Sequence, residues 1–334
     1  MTIEVVKNYH SLLNLMDTQI AIKFVKDTFQ KEMVKSLNLL RVTAPIFVFS
    51  NSGINDHLSG KEKPVQFDVN GYEDSIEIVQ SLAKWKRIAL KKYGFNVGTG
   101  LYTDMNAIRK DENVDFIHSL YVDQWDWEKI INKENRNLSF LKNTVRKIYK
   151  AIYSLSIKLQ KKYPVLSHDL PKKIHFISTR ELEKLYPNLS RKERENEITR
   201  VYKAVFIYQI GWNLKDNEPH DTRAADYDDW NLNGDLLLYY DLYDMALEIS
   251  SMGIRVDNKS LVKQLEFKGE LGKLNNKYCK DIMDNTLPLT IGGGIGQSRL
   301  CMYMLKKAHI GEVQVSLWSE KEISFNKENN INLL

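Results

Sequence analysis

The stretch Gly292-Gly293-Gly294-Ile295-Gly296-Gln297-Ser298-Arg299, followed at once by Leu300-Cys301-Met302-Tyr303-Met304-Leu305, decides how the rest of this chain is read. Gly292, Gly294 and Gly296 alternate, and Arg299 follows on the next turn. A strand with glycine at alternate positions can lie tight against a ligand, because no Cβ stands in the way. The apolar run behind it is expected to turn helical, with Arg299 on its first turn facing whatever the glycines approach. A planar, permanently charged guanidinium there can stack on a purine or grip a polyphosphate. A glycine cluster alone is equally compatible with a structural turn, so the residues upstream must decide.

Upstream, Ile108-Arg109-Lys110-Asp111-Glu112 sets an arginine among acids, and Asn38–Ile46 joins the end of a helical stretch to a strand that contains Pro45. In this order the three segments resemble the signature motifs of class II aminoacyl-tRNA synthetases and their relatives, which bind ATP on an antiparallel sheet. Further strings narrow the resemblance: SLAKWKR (81–87), GLYTDMNAIR (100–109), HSLYVDQWDWE (118–128), RAADYDDW (223–230), LNGD (232–235), EISSMGIRVD (248–257) and TIGGGIGQSRL (290–300). These are similar to the ammonia-dependent asparagine synthetases, the bacterial aspartate–ammonia ligases, across residues 18–318. One departure is visible, the absence of a short polar insertion between Trp230 and Asn231; it leaves loop geometry open there. The resemblance implies an α+β fold, a class II aminoacyl-tRNA synthetase-like antiparallel sheet flanked by helices, with residues 1–334 as a single catalytic domain.

Composition sets the outer bounds. A hydrophobic content of 43% and a charged content of 27% suit a soluble globular chain. No apolar run approaches the ~20 residues of a membrane span, and Met1 to Lys7 lacks the organisation of a secretion signal. Cys279 and Cys301 sit in apolar helical contexts without metal spacing, which predicts buried thiols in a reducing cytoplasm. The seven histidines form no pair at ligand spacing, which argues against zinc. The net charge of +5 rests on lysines such as Lys158, Lys161 and Lys162, interspersed with acids. They read as solvated helix faces, because RNA readers interleave arginine and aromatic side chains with their charge.

Along the chain, Asp17 or Thr18 is expected to cap a helix over 18–37 with a stripe of Val25, Phe29, Met33 and Leu37. A strand is expected from Ala44 to Ser50, and further strands within 66–82 and 114–128. Leu138 to Leu159 repeats at helical spacing behind Asn137 as cap. Strands are then expected at 173–179, 204–210, 235–240 and 245–252, and two helices over 258–283. Residues 213–234 read as a long polar loop, with His220 and Asp221 as an exposed pair.

Making an amide from a carboxylate requires an electrophile. The β-carboxylate of aspartate repels nucleophiles, so transfer of AMP from ATP must precede attack by ammonia, and AMP and pyrophosphate leave. Such a step is mostly positioning and charge neutralisation. The resemblance assigns Arg109 to the α-phosphate and Arg299 to adenine or the terminal phosphates, with Lys86 the third catalytic group. Ser119, Ser251 and Gly296 complete the ATP site, and Asp235 and Glu248 would carry Mg²⁺ or contact ribose. For the amino acid, Lys86 and Ser81 match the carboxylate side, while Asp56, Gln124 and Asp126 match the side that holds the ammonium and amide groups. Arg255 and Gly294 join the substrate-binding set; Asp228 is equally an ordinary loop residue.

Two other functions compete with this reading. A true aminoacyl-tRNA synthetase normally carries an anticodon-binding domain, for which neither end of this chain leaves room. A non-catalytic sensor of amino acids commonly loses the phosphate arginines, whereas Arg109 and Arg299 are both present. Free ammonia is expected as nitrogen donor, because taking nitrogen from glutamine needs a thiolate. Position 2 is Thr2, and no cysteine precedes Cys279. The expected partners are L-aspartate, ammonia, ATP and a second copy of the chain in a cytoplasmic homodimer, with neither nucleic acid nor membrane.

Overall fold

The computed structural model describes residues 6–56, 58 and 62–334. The strands are β1 (Leu39–Arg41), β2 (Phe47–Phe49), β3 (Gln66–Phe67), β4 (Ile76–Ile78), β5 (Gly100–Ile108) and β6 (Tyr121–Ile130). They continue with β7 (His175–Ser178), β8 (Ala204–Tyr208), β9 (Asp228–Tyr240), β10 (Met245–Arg255) and β11 (Thr290–Gly296). The helices are α1 (Leu15–Leu37), α2 (Ala83–Lys92), α3 (Leu138–Lys162), α4 (Thr179–Leu185) and α5 (Arg191–Tyr202). After β10 come α6 (Asn258–Lys268), α7 (Lys277–Met283), α8 (Gln297–Met304) and α9 (Glu320–Glu328).

The main sheet has eight strands in the order β1-β5-β6-β11-β10-β9-β8-β7, and β2, β4 and β3 form a small second sheet. The expectation of an antiparallel sheet holds for its centre and needs correction at both edges. There β1 runs parallel to β5 and β7 parallel to β8, so the sheet is mixed.

Residue alternation gives the sheet two unlike faces. On β6, Trp125 and Trp127 are fully buried on one side, while Gln124, Asp126 and Glu128 point to the other. The tryptophans join Met252, Ile254, Ile291 and Ile295 from the neighbouring strands in one apolar core. Against that face pack α1, through Val25, Phe29 and Met33, and α3, through Ile148, Ile152 and Leu155. The Phe29 and Trp125 ring centroids are 4.9 Å apart. The opposite face is apolar only at its flanks: Leu101 and Ile130 meet α2, and Val205, Ile207 and Leu237 meet α4 and α5. Between those flanks the central strands present polar side chains and glycines.

Several local expectations change. Asn14, not Asp17 or Thr18, caps α1, its side chain accepting from Asp17 N. The strand expected over Ala44–Ser50 is only Phe47–Phe49, and pairing within 66–82 is limited to β3 and β4. The polar loop ends at Asp228, where β9 begins, because Asp228 pairs across to Arg255 in the ladder. His220 is buried rather than exposed, its Nε2 lying 3.0 Å from Glu195 Oε1. The long helix starts behind Asn137 as expected.

Candidate active site

The glycine strand occupies the centre of the polar face. In register, Gly294 stands between Asp126 of β6 and Ser251 of β10, and Gly292 between Glu128 and Gly253. A Cβ on Gly292 would lie 2.1 Å from Glu128 Oε2, and one on Gly294 2.0 Å from Gln124 Oε1 and 2.8 Å from Asp126 Oδ1. These glycines therefore admit the protein's own β6 side chains across β11, and not primarily a ligand as the spacing suggested. At Gly296 the nearest neighbour of such a Cβ is Arg299 Cβ at 3.3 Å, so that glycine leaves room for the arginine that follows it.

The β6 side chains thus admitted are tied down. Lys86 of α2 is 1% exposed; its Nζ donates to Gly293 O at 3.1 Å and pairs with Asp126 at 3.1 Å. Burial lowers the Lys86 pKa, and Asp126 offsets this only in part. Arg255 bridges two carboxylates: Nε and Nη2 donate to Glu128 at 3.0 and 2.7 Å, and Nη1 to Asp228 at 2.5 Å. Glu128 also accepts from Thr290 Oγ1 at 2.6 Å. Burial alone would raise the Glu128 carboxyl, yet the Arg255 charge and hydrogen bonds hold it below the ordinary range. Breaking such a pair leaves an uncompensated buried charge, at a cost of about 3–5 kcal/mol.

Above this floor a cleft of about 340 Å³ is lined by Arg109, Ser119, Gln124, Glu248, Ser251, Gly294, Gly296 and Arg299. Arg299 lies on the first turn of α8, as expected, and its Nη1 donates to Glu248 O at 3.3 Å. Asp123 fixes that turn by accepting from Ser298 N at 2.9 Å, which suits a carboxylate at a helix N-terminus. Lys26 of α1 neutralises Asp123 from 3.1 Å. A second cleft, of about 360 Å³, holds Gln80, Arg223 and Tyr227 and shares Arg109, Glu112, Glu248 and Ser251 with the first. Arg109 therefore stands where the two meet, with its Nε buried and without a hydrogen-bond partner.

The remaining sequence candidates fall elsewhere. Asp56 lines a third cavity, of about 120 Å³, with Lys84 and Asp226. Burial pushes the Asp56 carboxyl up to about 6, and its Oδ2 has no partner. Lys86, Asp126 and Arg255 line none of these cavities and lie in the floor. Ser81 Oγ accepts from Ala83 N at 3.2 Å at the start of α2. Asp228 lies in β9 and is held by Arg255. Asp235 is paired by Arg223 Nη2 while its Oδ1 stays unpartnered; burial and the neighbouring Glu248 and Asp221 charges push it up to about 7 against the pull of Arg223. The two cysteines are buried, with thiols pushed up to about 11 at Cys279 and about 12 at Cys301.

Sequence reasoning did not single out Arg223, Lys84, Asp226 or Gln80. Arg223 opens the string RAADYDDW, and Gln80 directly precedes SLAKWKR, so both lay at the edge of a visible signal. The alternation Gln124-Trp125-Asp126-Trp127-Glu128 could have shown which side of β6 is polar.

Solved structures of asparaginyl-tRNA synthetases share this fold. Asparaginyl-tRNA synthetase from Pyrococcus horikoshii, solved with asparaginyl-adenylate, superposes with a TM-score of 0.66 at 16% identity, covering 91% of this chain and 70% of that one. The Entamoeba histolytica asparaginyl-tRNA synthetase gives 0.63 at 13%, covering 90% and 66%. At such identities the likeness is one of fold. The family model for aspartate-ammonia ligase matches residues 16–330. An aspartate–ammonia ligase of Clostridium perfringens (strain SM101 / Type A) is 55% identical over 329 residues, 98% of each chain. One from Bacillus cytotoxicus is 54% identical over 325 residues, 97% of this chain and 99% of that one. The chain belongs to the aspartate–ammonia ligase family, a family of enzymes.

Gly294→Ala is expected to displace Gln124 and Asp126, to remove most activity and to lower the thermal transition, because it strains the buried Asp126–Lys86 pair. Activity near wild type in a folded Gly294→Ala protein would show that the β6 side chains need not cross the strand.

Proposed function

We propose that the joined clefts convert ATP and L-aspartate into β-aspartyl-AMP and pyrophosphate, and that ammonia then displaces AMP to give L-asparagine. The observation that carries this is the meeting of Arg109 and Arg299 in one cleft with Gln124 and Ser251, in a member of this family. The sheet resembles the class II synthetase scaffold, and a neighbour in fold was solved with an adenylate.

Arg109, at the junction, holds the α-phosphate against the incoming β-carboxylate and stabilises the charge that develops as pyrophosphate leaves. Arg299 packs on adenine or meets the outer phosphates from α8, with Ser119, Ser251 and Gly296 around the nucleotide. Lys86 and Asp126, with Gln124 beside them, set the aspartate end, and Arg255 and Ser81 act from the surrounding frame. Asp235 and Glu248 would hold Mg²⁺ through hard carboxylate oxygens, one of which, Asp235 Oδ1, has no hydrogen-bond partner. Among the described residues no three carboxylate, histidine or cysteine ligands converge on a point, so phosphate oxygens and water would complete its shell, as is usual for this ion. It would supply charge neutralisation to the phosphates.

Asp56 offers ammonium a carboxylate and a place for its proton. The nitrogen donor is ammonia, because both thiols are buried and held in their neutral form. The chain works as a cytoplasmic homodimer, supported by Leu15, Met16 and Ile20 exposed along α1 and by Phe47 and Phe49 on β2.

The purified chain is expected to exchange pyrophosphate into ATP when aspartate is present, without tRNA, and to form asparagine from ammonium but not from glutamine. Exchange that requires tRNA, or efficient use of glutamine, would refute this reading. Arg109→Ala should slow exchange by about 10²–10³-fold. Arg299→Lys should also lose most activity, because an ammonium cannot replace a flat stacking surface; a lysine variant at the wild-type rate would remove that role.

The Asp56 carboxyl is neutral below about 6 and ionised above it. Ammonium-dependent synthesis should therefore gain a limb rising between about pH 5 and pH 7, as the group becomes able to take a proton. Asp56→Asn should abolish that limb in a pH–rate profile at fixed total ammonium; an unchanged profile would assign the proton elsewhere.

A further inference from the structure

Ammonia must approach the acyl carbon as the neutral molecule, and Asp56, the group proposed above to receive ammonium, is a carboxylate. Gln80 is an uncharged alternative. It is 0% exposed, borders the larger cleft with Arg109 and Tyr227, and neither its Oε1 nor its Nε2 has a hydrogen-bond partner. A buried amide left open at both ends is costly, and a bound group that accepts and donates would satisfy it.

Its position is built into the fold. Asn55 Oδ1 accepts from Gln80 N at 2.9 Å and from Asp56 N at 3.1 Å, so one oxygen atom holds both residues. Asn55 Nδ2 is itself anchored, donating to Glu77 Oε2 at 3.0 Å and to Ile78 O at 3.2 Å. The cavity of Asp56 and the cleft of Gln80 share Leu58, Arg223 and Ala224, which makes them adjoining spaces.

We infer that Gln80 seats the attacking ammonia, its Oε1 accepting an N–H. The inference rests on the adenylate reading above. A carboxylate favours ammonium, which has no lone pair for attack, whereas an amide oxygen accepts from ammonia without favouring its protonation. Asp56 receives the cation, Lys84 already neutralises Asp226 from 2.7 Å in the same cavity, and the amide next door holds the nucleophile. In the step itself the nitrogen lone pair forms the C–N bond. The acyl C–O bond to phosphate breaks with its electron pair leaving on AMP, and one N–H proton passes to water.

The test separates the two halves of the reaction in Gln80→Leu. Aspartate-dependent exchange of pyrophosphate into ATP, measured without ammonia, should keep kcat and the KM for aspartate within about twofold of wild type. The KM for ammonium chloride in asparagine synthesis should rise at least tenfold, about the loss of one hydrogen bond. An unchanged ammonium KM overturns the inference. So does a parallel rise in the KM for aspartate during exchange, which would place the amide on the amino acid. Should Gln80→Leu lose its cooperative thermal transition, Gln80→Asn withdraws the amide by one methylene. The same split in KM is expected there, and its absence overturns the assignment. Failure of exchange in the wild-type protein would instead sink the adenylate reading itself.

Discussion

The passage of three acidic or amide side chains across a glycine strand is the constraint on which the site depends. Gln124, Asp126 and Glu128 occupy the space that side chains at 292 and 294 would need. A sheet normally separates its strands' side chains by alternation and lets each residue fill its own column. Here β11 gives up two columns, and β6 fills them with charge. That charge is buried, so it must be answered from outside the strand. Arg255 answers Glu128 from β10 and Lys86 answers Asp126 from α2. Arg255 then recruits Asp228, which extends the ladder of β9 back to the end of the polar loop. One steric concession in β11 thus fixes the order of charges across four strands and one helix.

The other face of the same strands makes the concession affordable in stability. Trp125 and Trp127 alternate with the polar residues, so a segment that carries buried charge also carries two of the largest apolar side chains in the core. Aromatic side chains of this size dominate burial energetics. Their docking against Phe29 and the aliphatic stripe of α3 holds β6 in register. A shift of one residue would exchange tryptophan for carboxylate on both faces at once. Register and chemistry are therefore specified by the same five residues.

How much of this was legible in the sequence depended on whether a signal was local. Arg299 on the first turn of α8 followed from glycines and an apolar run next to each other, and the Asn137 cap and the spacing of α3 were equally local. The gathering of Arg109, Ser119, Glu248, Ser251 and Arg299 was legible only through family resemblance, since no spacing rule connects β5, β10 and α8. What was missed is tertiary. The polar run at 213–234 looked solvated, but Asp228 to Gly234 belongs to a central strand whose polarity is answered by Arg255 and Arg223. His220 looked exposed because its partner, Glu195, is on α5, far along the chain. The edge strands β1 and β7 run parallel to their neighbours because their connections pass through helices, which alternation cannot reveal.

Pairing state divides the buried polar groups of the candidate site into two sets. Arg255, Glu128, Lys86 and Asp126 are buried and answered by one another, and none of them lines the three cavities described above. Arg109 Nε, Asp235 Oδ1, Asp56 Oδ2 and both ends of the Gln80 amide are buried and unanswered, and all but Asp235 border a cleft. Other unpartnered atoms, such as Trp127 Nε1, are scattered through the framework, so the orphaned state alone identifies nothing. Its concentration around two adjoining cavities does. Burying a polar group without a protein partner costs about 1–3 kcal/mol, and the ion-paired network beneath ties together the strands that carry these groups. A substrate that supplies the missing partners recovers that cost on binding, which is how a site formed before its ligand arrives converts strain in the fold into selectivity.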